Sequence, residues 1–467
     1  MIAHLPRFGS HHGCLTGASL CCRARTAWYN GSGEIVLAVA LVSDVAINQS
    51  CRSRLSITLV ERIITMAPPS GAQASRWVAR VSRSAIVDIA RQLVSIPSVS
   101  GDEAAVMAFV QKWLDARGIG YVVTANDPIR PNVIATVGDP ASGPVVAMNG
   151  HLDTVPVSDA ASWKTDPFDG VVSDDGSRLY GRGASDMKSS VGVMMTMLEL
   201  FRDAELDGAL QAHIVSDEEV GARFGTLHVL DEIEAGRLVR PDYVFIGEGS
   251  EFKVRNAERG GLAINVRFIG KASHTAAARV TGINAIAMAA RGILALEEHL
   301  EQFHPSVGHP VISINTISGG VAHNVVPGEC TFSIDRRLIP GETKESVVEE
   351  IRGKLDAAGK GDPDYRYELD VDPDRGYIAA NITPENSPLV RAFQESVRRV
   401  RDQEPQFFVQ WAGMTDGRFY RQHGIDTVGM GPRGEGAHGA NESIAIDDLE
   451  MEGKIYAETI ARLLNAR

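Results

Sequence analysis

Apolar residues recur every three or four positions in residues 84–93 (Ile86, Ile89, Leu93) and again in 102–117 (Val106, Phe109, Val110, Leu114). That spacing predicts two amphipathic helices, stopped by Ile96-Pro97 and by Gly118. Extended stretches follow at 120–123 and 132–137, and then an unbroken apolar run at 145–148, short enough for a buried strand. A third helix is expected from Asp186 to about Phe201 on Val191, Met194, Met195 and Leu198, with Ser185 and Asp186 as its N-cap residues. Strand 210–215, helix 226–235 and strand 242–246 continue the alternation, which predicts a three-layer α/β sheet.

The pattern changes near Leu262. A strand at 262–268, a helix in which Ile283, Ile286, Ala290, Ile293 and Leu296 recur at threes and fours, strands at 311–317 and 331–338, a helix at 343–358 and a strand at 365–371 give the order β-α-β-β-α-β. This is the ferredoxin-like order. The α/β pattern then resumes with a helix near 388–400, a strand at 427–430, a glycine-dense loop GPRGEGAHGANES and a closing helix at 447–465. The expected division is an N-terminal extension at 1–75, one catalytic part at 76–258, an inserted α+β unit at 259–375 and a second catalytic part at 376–467. No internal repeat is evident.

The first 65 residues differ in composition from the rest. They hold four of the five cysteines (Cys14, Cys21, Cys22, Cys51) and six Arg against three acids, a balance of +3 that leaves −16 for the remainder of a chain with net charge −13. The apolar run at 35–42 is too short to span a bilayer and lies too deep for an ordinary signal peptide. The expectation is a non-structural, disordered extension, with a start at Met66 as its simplest account and a transit peptide as the weaker alternative. Without a C-x-x-C pair there, neither a disulfide framework nor a zinc set is expected, and the isolated Cys330 fits a reducing compartment, the cytoplasm. The acidic balance argues against nucleic acid and anionic membranes as partners.

The candidate chemistry lies at the ends of the expected strands. His151 and Asp153 follow the 145–148 run, Asp186 opens a helix, Glu218 and Glu219 follow the 210–215 strand, Glu248 follows 242–246 and His438 lies in the glycine-dense loop. In open α/β sheets, ligands gather beyond the carboxyl ends of the strands. Any one loop acid is more often a solvated cap than a ligand. Five metal-type side chains at five such places, with one Glu to spare, point instead to a two-metal amide hydrolase.

The segments GHLDTVP, GRGASDMKSS, SDEEVG, GEGS, GKASHTA and HNVVPGE with IDRR resemble the M20 family of metallopeptidases and deacylases, in order, from about Ile86 to the C-terminus. The resemblance implies two Zn²⁺ per subunit, with Co²⁺ or Mn²⁺ as substitutes. His151 and Glu248 would hold one ion, Glu219 and His438 the other, and Asp186 would bridge them. Glu218 would be the general base and Asp153 would orient His151. His274 would reach the active site of a partner subunit to help hold the oxyanion, with Asn324 beside it, and Arg337 would pair the substrate carboxylate. Against these last roles, Asn324 could cap a turn, and Arg337 could be a surface cation beside Asp335.

Ser189 and Ser190 stand where many relatives of that family have glycines, which puts substrate size in question but not metal binding. His213 reads as a satisfied core histidine, His304 and His309 as loop residues, and Arg182 as a loop ion pair. GRGAS lacks the full G-x-G-x-x-G and opens toward an Asp, so it is not a nucleotide loop. The expected function is hydrolysis of the amide of a small N-acyl amino acid, of the deacetylase or desuccinylase type, by a homodimer joined through the inserted unit. A carboxypeptidase or dipeptidase on the same metals, and a catalytically idle binding protein on the same scaffold, are the alternatives.

Overall fold

The computed structural model describes residues 76–373, 376–409 and 413–467, together with the backbone of two short antiparallel strands, Trp28–Tyr29 and Ile35–Val36. The expectation of a disordered extension over 1–75 otherwise falls outside the described residues. No helix among the described residues is long and apolar enough to cross a membrane.

Helix α1 (Arg83–Val94) starts where the Ser82 hydroxyl accepts from the Ala85 amide, and it buries Ile86, Ile89, Ala90, Leu93 and Val94. Helix α2 (Ala104–Asp115) buries Val106, Met107, Val110, Trp113 and Leu114. Strands β1 (Gly120–Thr124), β2 (Asn132–Gly138) and β3 (Val145–His151) follow, then α3 (Lys188–Phe201), β4 (Ala209–Val215), α4 (Thr226–Glu234) and β5 (Tyr243–Ile246).

The inserted unit comprises β6 (Gly260–Ile269), α5 (Ala285–Leu296), β7 (Val311–Gly319), β8 (Glu329–Leu338), α6 (Lys344–Gly359) and β9 (Tyr367–Val371). The chain closes with α7 (Pro388–Arg401), α8 (Gly417–Gln422), β10 (Asp426–Gly429) and α9 (Ile446–Leu463).

The larger sheet has the order β10-β5-β3-β4-β2-β1, parallel from β10 to β4 and antiparallel beyond. Every residue of β3 and β4 is buried, as strands covered on both faces require. Alternate β3 residues feed two cores: Val146 and Met148 pack with α1, α3, α7 and α9, whereas Ala147 packs with α4 and α8 through Val229, Leu230 and Tyr420. These are the three layers the alternation predicted.

The smaller sheet has the order β7-β8-β6-β9, antiparallel throughout, which is the ferredoxin-like topology. Leu262, Ile264, Val266 and Phe268 point to one face at period two and form a separate core with α5 and α6. The two passages between the sheets run side by side, since Ala257–Glu258 pairs antiparallel with Asn381–Ile382.

Beneath the larger sheet's helix layer, α9 buries Glu452, whose carboxylate accepts from the Ser190 hydroxyl of α3 at 3.1 Å. Burial pushes this carboxyl up to about 8. The folded chain thus keeps a proton that the unfolded chain releases near the ordinary value of 4.5, and stability falls as pH rises between the two. Glu452→Gln, a neutral isostere, is expected to raise the thermal unfolding midpoint, with a gain that grows from pH 5 to pH 8. Scanning calorimetry across that range checks it; a midpoint lowered at pH 8 would contradict the account.

Candidate metal centre

Five acids and two imidazoles meet at the carboxyl edge of the parallel strands. His151 is the last residue of β3, and the fully buried Asp153 lies just beyond it. Glu218 and Glu219 share one 3₁₀ turn, Glu218–Val220, after β4. Glu248 follows β5, Asp186 lies two residues before α3, and His438 stands in the loop after β10.

The His151 Nε2 atom is 3.2 Å from one Asp186 oxygen, and the His438 Nε2 atom is 3.3 Å from the other and 3.1 Å from Glu219. Two overlapping sets, His151 with Glu218 and Glu248, and His151 with Asp186 and Glu219, each bring their donor atoms within 4.8 Å of one another. Nearly three hundred positions of chain thus converge with Asp186 between the two imidazoles. The neighbouring cleft, about 320 Å³, is lined by Asp186, Glu248, Ser185, Gly249, Gly434 and Arg433 among others.

The electrostatics follow from crowding. Burial pushes Glu248 up to about 8, with the nearby Asp186 carboxylate adding to the effect. Burial likewise holds Glu218 well above the usual carboxylate range, reinforced by Glu248 and Asp416. Burial opposes the charge on Asp186, yet hydrogen bonds from His151 and His438 outweigh it and hold that carboxyl below its ordinary range. The Asp186 hydrogen bond raises His438 to about 9. The site therefore draws positive charge from protons on both imidazoles and on two acids. An oxygen and nitrogen donor set this crowded is chemically matched to divalent cations, which would replace those protons.

The turn that carries the Glu pair is held from both sides. Asp153 accepts from the backbone amides of Glu218 and Glu219 at 3.1 and 3.2 Å, and from the Ser100 hydroxyl at 2.7 Å. It also lies 3.4 Å from His151 Nδ1. Asp217 takes the left-handed region (φ 72°), where its short side chain can bond locally. There it accepts from the Phe224 amide at 2.8 Å and pairs with Arg130.

The expected N-cap of α3 needs correction. The helix begins at Lys188 after Met187, with no side-chain cap. The amides of Gly183, Ser185 and Asp186 donate instead to Glu442 at 3.0, 2.9 and 3.0 Å, and Arg182 adds an ion pair at 2.5 Å. Glu442, 256 to 259 residues downstream of those amides, fixes the approach to the helix, while the Lys188 amide donates to the Gly183 carbonyl at 2.9 Å. Arg182 is thus a buried ion pair. His213 is a satisfied core histidine, bonded to the Tyr420 hydroxyl at 2.8 Å and the Gln211 side-chain amide oxygen at 3.2 Å.

Ser100, Arg130, Asp217, Asp416 and Glu442 were not foreseen from sequence. Glu442 carries a usable signal, since it follows His438 in the same glycine-dense loop, as does Asp217 beside the Glu pair. Arg130 and Ser100 carry none.

His274, Asn324 and Arg337 belong to the inserted unit, outside the carboxylate–imidazole cluster. His274 pairs with Val325 in a two-residue ladder, and the Asn324 carbonyl accepts from the Thr275 amide at 3.0 Å, so the two lie side by side. His274 and Asn324 are exposed. Arg337 sits on β8 against Asp335 at 2.8 Å, lining a cavity of about 170 Å³ with Asn265 and Asp372.

Comparison with known proteins adds an independent line. Succinyl-diaminopimelate desuccinylase of Pseudomonas syringae pv. syringae is 31% identical over 396 residues, 82% of this chain and 98% of that protein. The enzyme of the same name from Shewanella pealeana is 30% identical over 83% of this chain and all of its own length. Among solved structures, aminopeptidase PepT from Bacillus cereus superposes with a TM-score of 0.66 at 18% identity, covering 82% of this chain and 99% of that one. A dinuclear metal binding peptidase of Bacillus subtilis gives 0.62 at 20% identity over 82% and 98%. The model of peptidase family M20/M25/M40 matches residues 147–462, a span that holds every one of the seven converging side chains. The chain belongs to peptidase family M20/M25/M40 and is a hydrolase of amide bonds.

Proposed function

We propose that this chain is a two-zinc amidohydrolase that releases a carboxylic acid and a free amino acid from an N-acyl amino acid. The observation that carries the proposal is the placement of Asp186 between His151 and His438, at 3.2 and 3.3 Å, with Glu219 and Glu248 in reach. His151 and Glu248 would hold one ion and Glu219 and His438 the other, with Asp186 shared. When bound, such a pair of cations polarises the amide carbonyl and acidifies the attacking water.

The chain's own residues supply the proton traffic. Glu218, tethered by its amide to Asp153, takes a proton from the water and returns it to the leaving nitrogen. Asp153 fixes the His151 ring from behind. In the inserted unit, Arg337 offers its guanidinium to the substrate's α-carboxylate, for which it would exchange Asp335. His274 and Asn324, exposed together, would complete the oxyanion pocket of a second subunit in a homodimer of cytoplasmic enzyme.

The identity of the two curated relatives supports an acylated amino acid over a dipeptide, since 82–83% of this chain aligns with them. Purified protein is to be assayed against N-acetyl- and N-succinyl-amino acids and a panel of dipeptides. Turnover of the acylated compounds is expected. Clear dipeptide cleavage without it would replace this reading with a peptidase.

Glu218→Ala should lower kcat by at least about 100-fold while bound zinc, measured by elemental analysis, stays at the wild-type ratio. Loss of metal together with activity would instead make Glu218 a ligand. Mixing inactive His274→Ala with inactive Glu218→Ala protein should restore part of the activity through hybrid dimers. No recovery, with hybrid dimers demonstrated by native mass spectrometry, would remove the shared-site role of His274.

A further inference from the structure

The cleft beside the candidate metal centre is acidic, lined by Asp186 and Glu248. Arg433 is the one Arg or Lys among the described residues that line it. With Asp186 and Glu248 taken up in holding the cations, Arg433 is the one charged side chain of this lining left to meet a carboxylate carried in by the substrate. We infer that Arg433 is a specificity-determining residue, selecting acyl groups that end in a second carboxylate. The inference rests on the amidohydrolase reading above and deepens it.

The local backbone is built to hold this residue in place. Gly431 accepts at its carbonyl from the amides of Ser250 and Phe252 at 3.0 and 3.2 Å, and its own amide donates to the Ser250 hydroxyl at 3.2 Å. A Cβ on Gly431 would lie 2.5 Å from the Gly247 carbonyl oxygen, and one on Gly434 would lie 2.3 Å from the Ser185 hydroxyl. The residues flanking Arg433 are thus pressed against the turn that carries Glu248 and against the approach to Asp186. The side chain itself is 69% exposed. The backbone is thus fixed, while the guanidinium is held only by an exposed ion pair and stays within reach of a ligand in the cleft.

The present partner of Arg433 is replaceable. Its Nη1 donates to Glu251 at 2.8 Å, but Lys253 also bonds Glu251 at 2.8 Å. If Arg433 turns to a substrate, Glu251 keeps a cation. Exposed pairs of this kind contribute little, so exchange for a carboxylate held in the cleft is inexpensive. The planar fork of the guanidinium then gives two parallel bonds to the incoming group. Arg337, on the other sheet, remains for the amino acid's own carboxylate, so the two guanidinium groups would read opposite ends of the substrate.

The test compares kcat/KM for an N-succinyl- and the matching N-acetyl-amino acid in wild type, Arg433→Ala, Arg433→Lys and Glu251→Gln. The succinyl-to-acetyl ratio should fall roughly 10- to 100-fold in Arg433→Ala, mainly through KM, and recover in part in Arg433→Lys. It should rise in Glu251→Gln, where the competitor is gone. An Arg433→Ala enzyme in which both substrates decline equally, or neither does, overturns the assignment. A wild type that turns over N-acetyl but no N-succinyl substrate also overturns it while leaving the deacylase reading intact. A wild type that cleaves only dipeptides overturns both.

Discussion

The constraint on which this molecule turns is mutual repulsion among carboxylates. Asp153, Asp186, Glu218, Glu219 and Glu248 are gathered at one sheet edge, where burial opposes all their charges and, for the three glutamates, neighbouring acids add to it. Left to themselves such groups would separate or take up protons. The fold prevents separation by placing them on four separate loops and turns, Glu218 and Glu219 sharing one, at the carboxyl edge of the parallel strands. In this arrangement His151 and His438 take protons and two of the acids keep theirs, which is the response expected of a site shaped around external positive charge.

Holding the groups together requires a second set of acids whose task is structural. Asp153 anchors the Glu218–Glu219 turn through two amides, and Glu442 gathers three amides ahead of α3, placing Asp186. Each serves its turn as a helix cap would, but from a distant part of the chain. Because the amides end up paired with buried carboxylates, the loops that carry the candidate ligands have few alternatives open to them.

Much of this was legible in the sequence, and the physical reason differs from part to part. The apolar runs of β3 and β4 and the period-two pattern of β6 are dictated by burial, which is written locally, so both sheets and the succession of their strands along the chain were accessible. The seven converging side chains were visible because strand ends are where function accumulates in such folds. The capping of α3 was misjudged because Ser185 and Asp186 satisfy the local rule, whereas the turn that carries them is held through its amides by Glu442, a partner fixed only by tertiary structure. Arg130 and Ser100 were missed for the same reason: a loop Arg and a loop Ser have no local signature until Asp217 and Asp153 arrive beside them.

The ladder between Ala257–Glu258 and Asn381–Ile382 is the joint between the two sheets. Within it, Glu258 accepts from the Thr415 hydroxyl at 2.6 Å, and Thr415 precedes Asp416, the buried acid that helps hold Glu218 protonated. The joint between the two sheets and the surroundings of Asp416 therefore share one residue, Glu258, so a substitution there touches both at once.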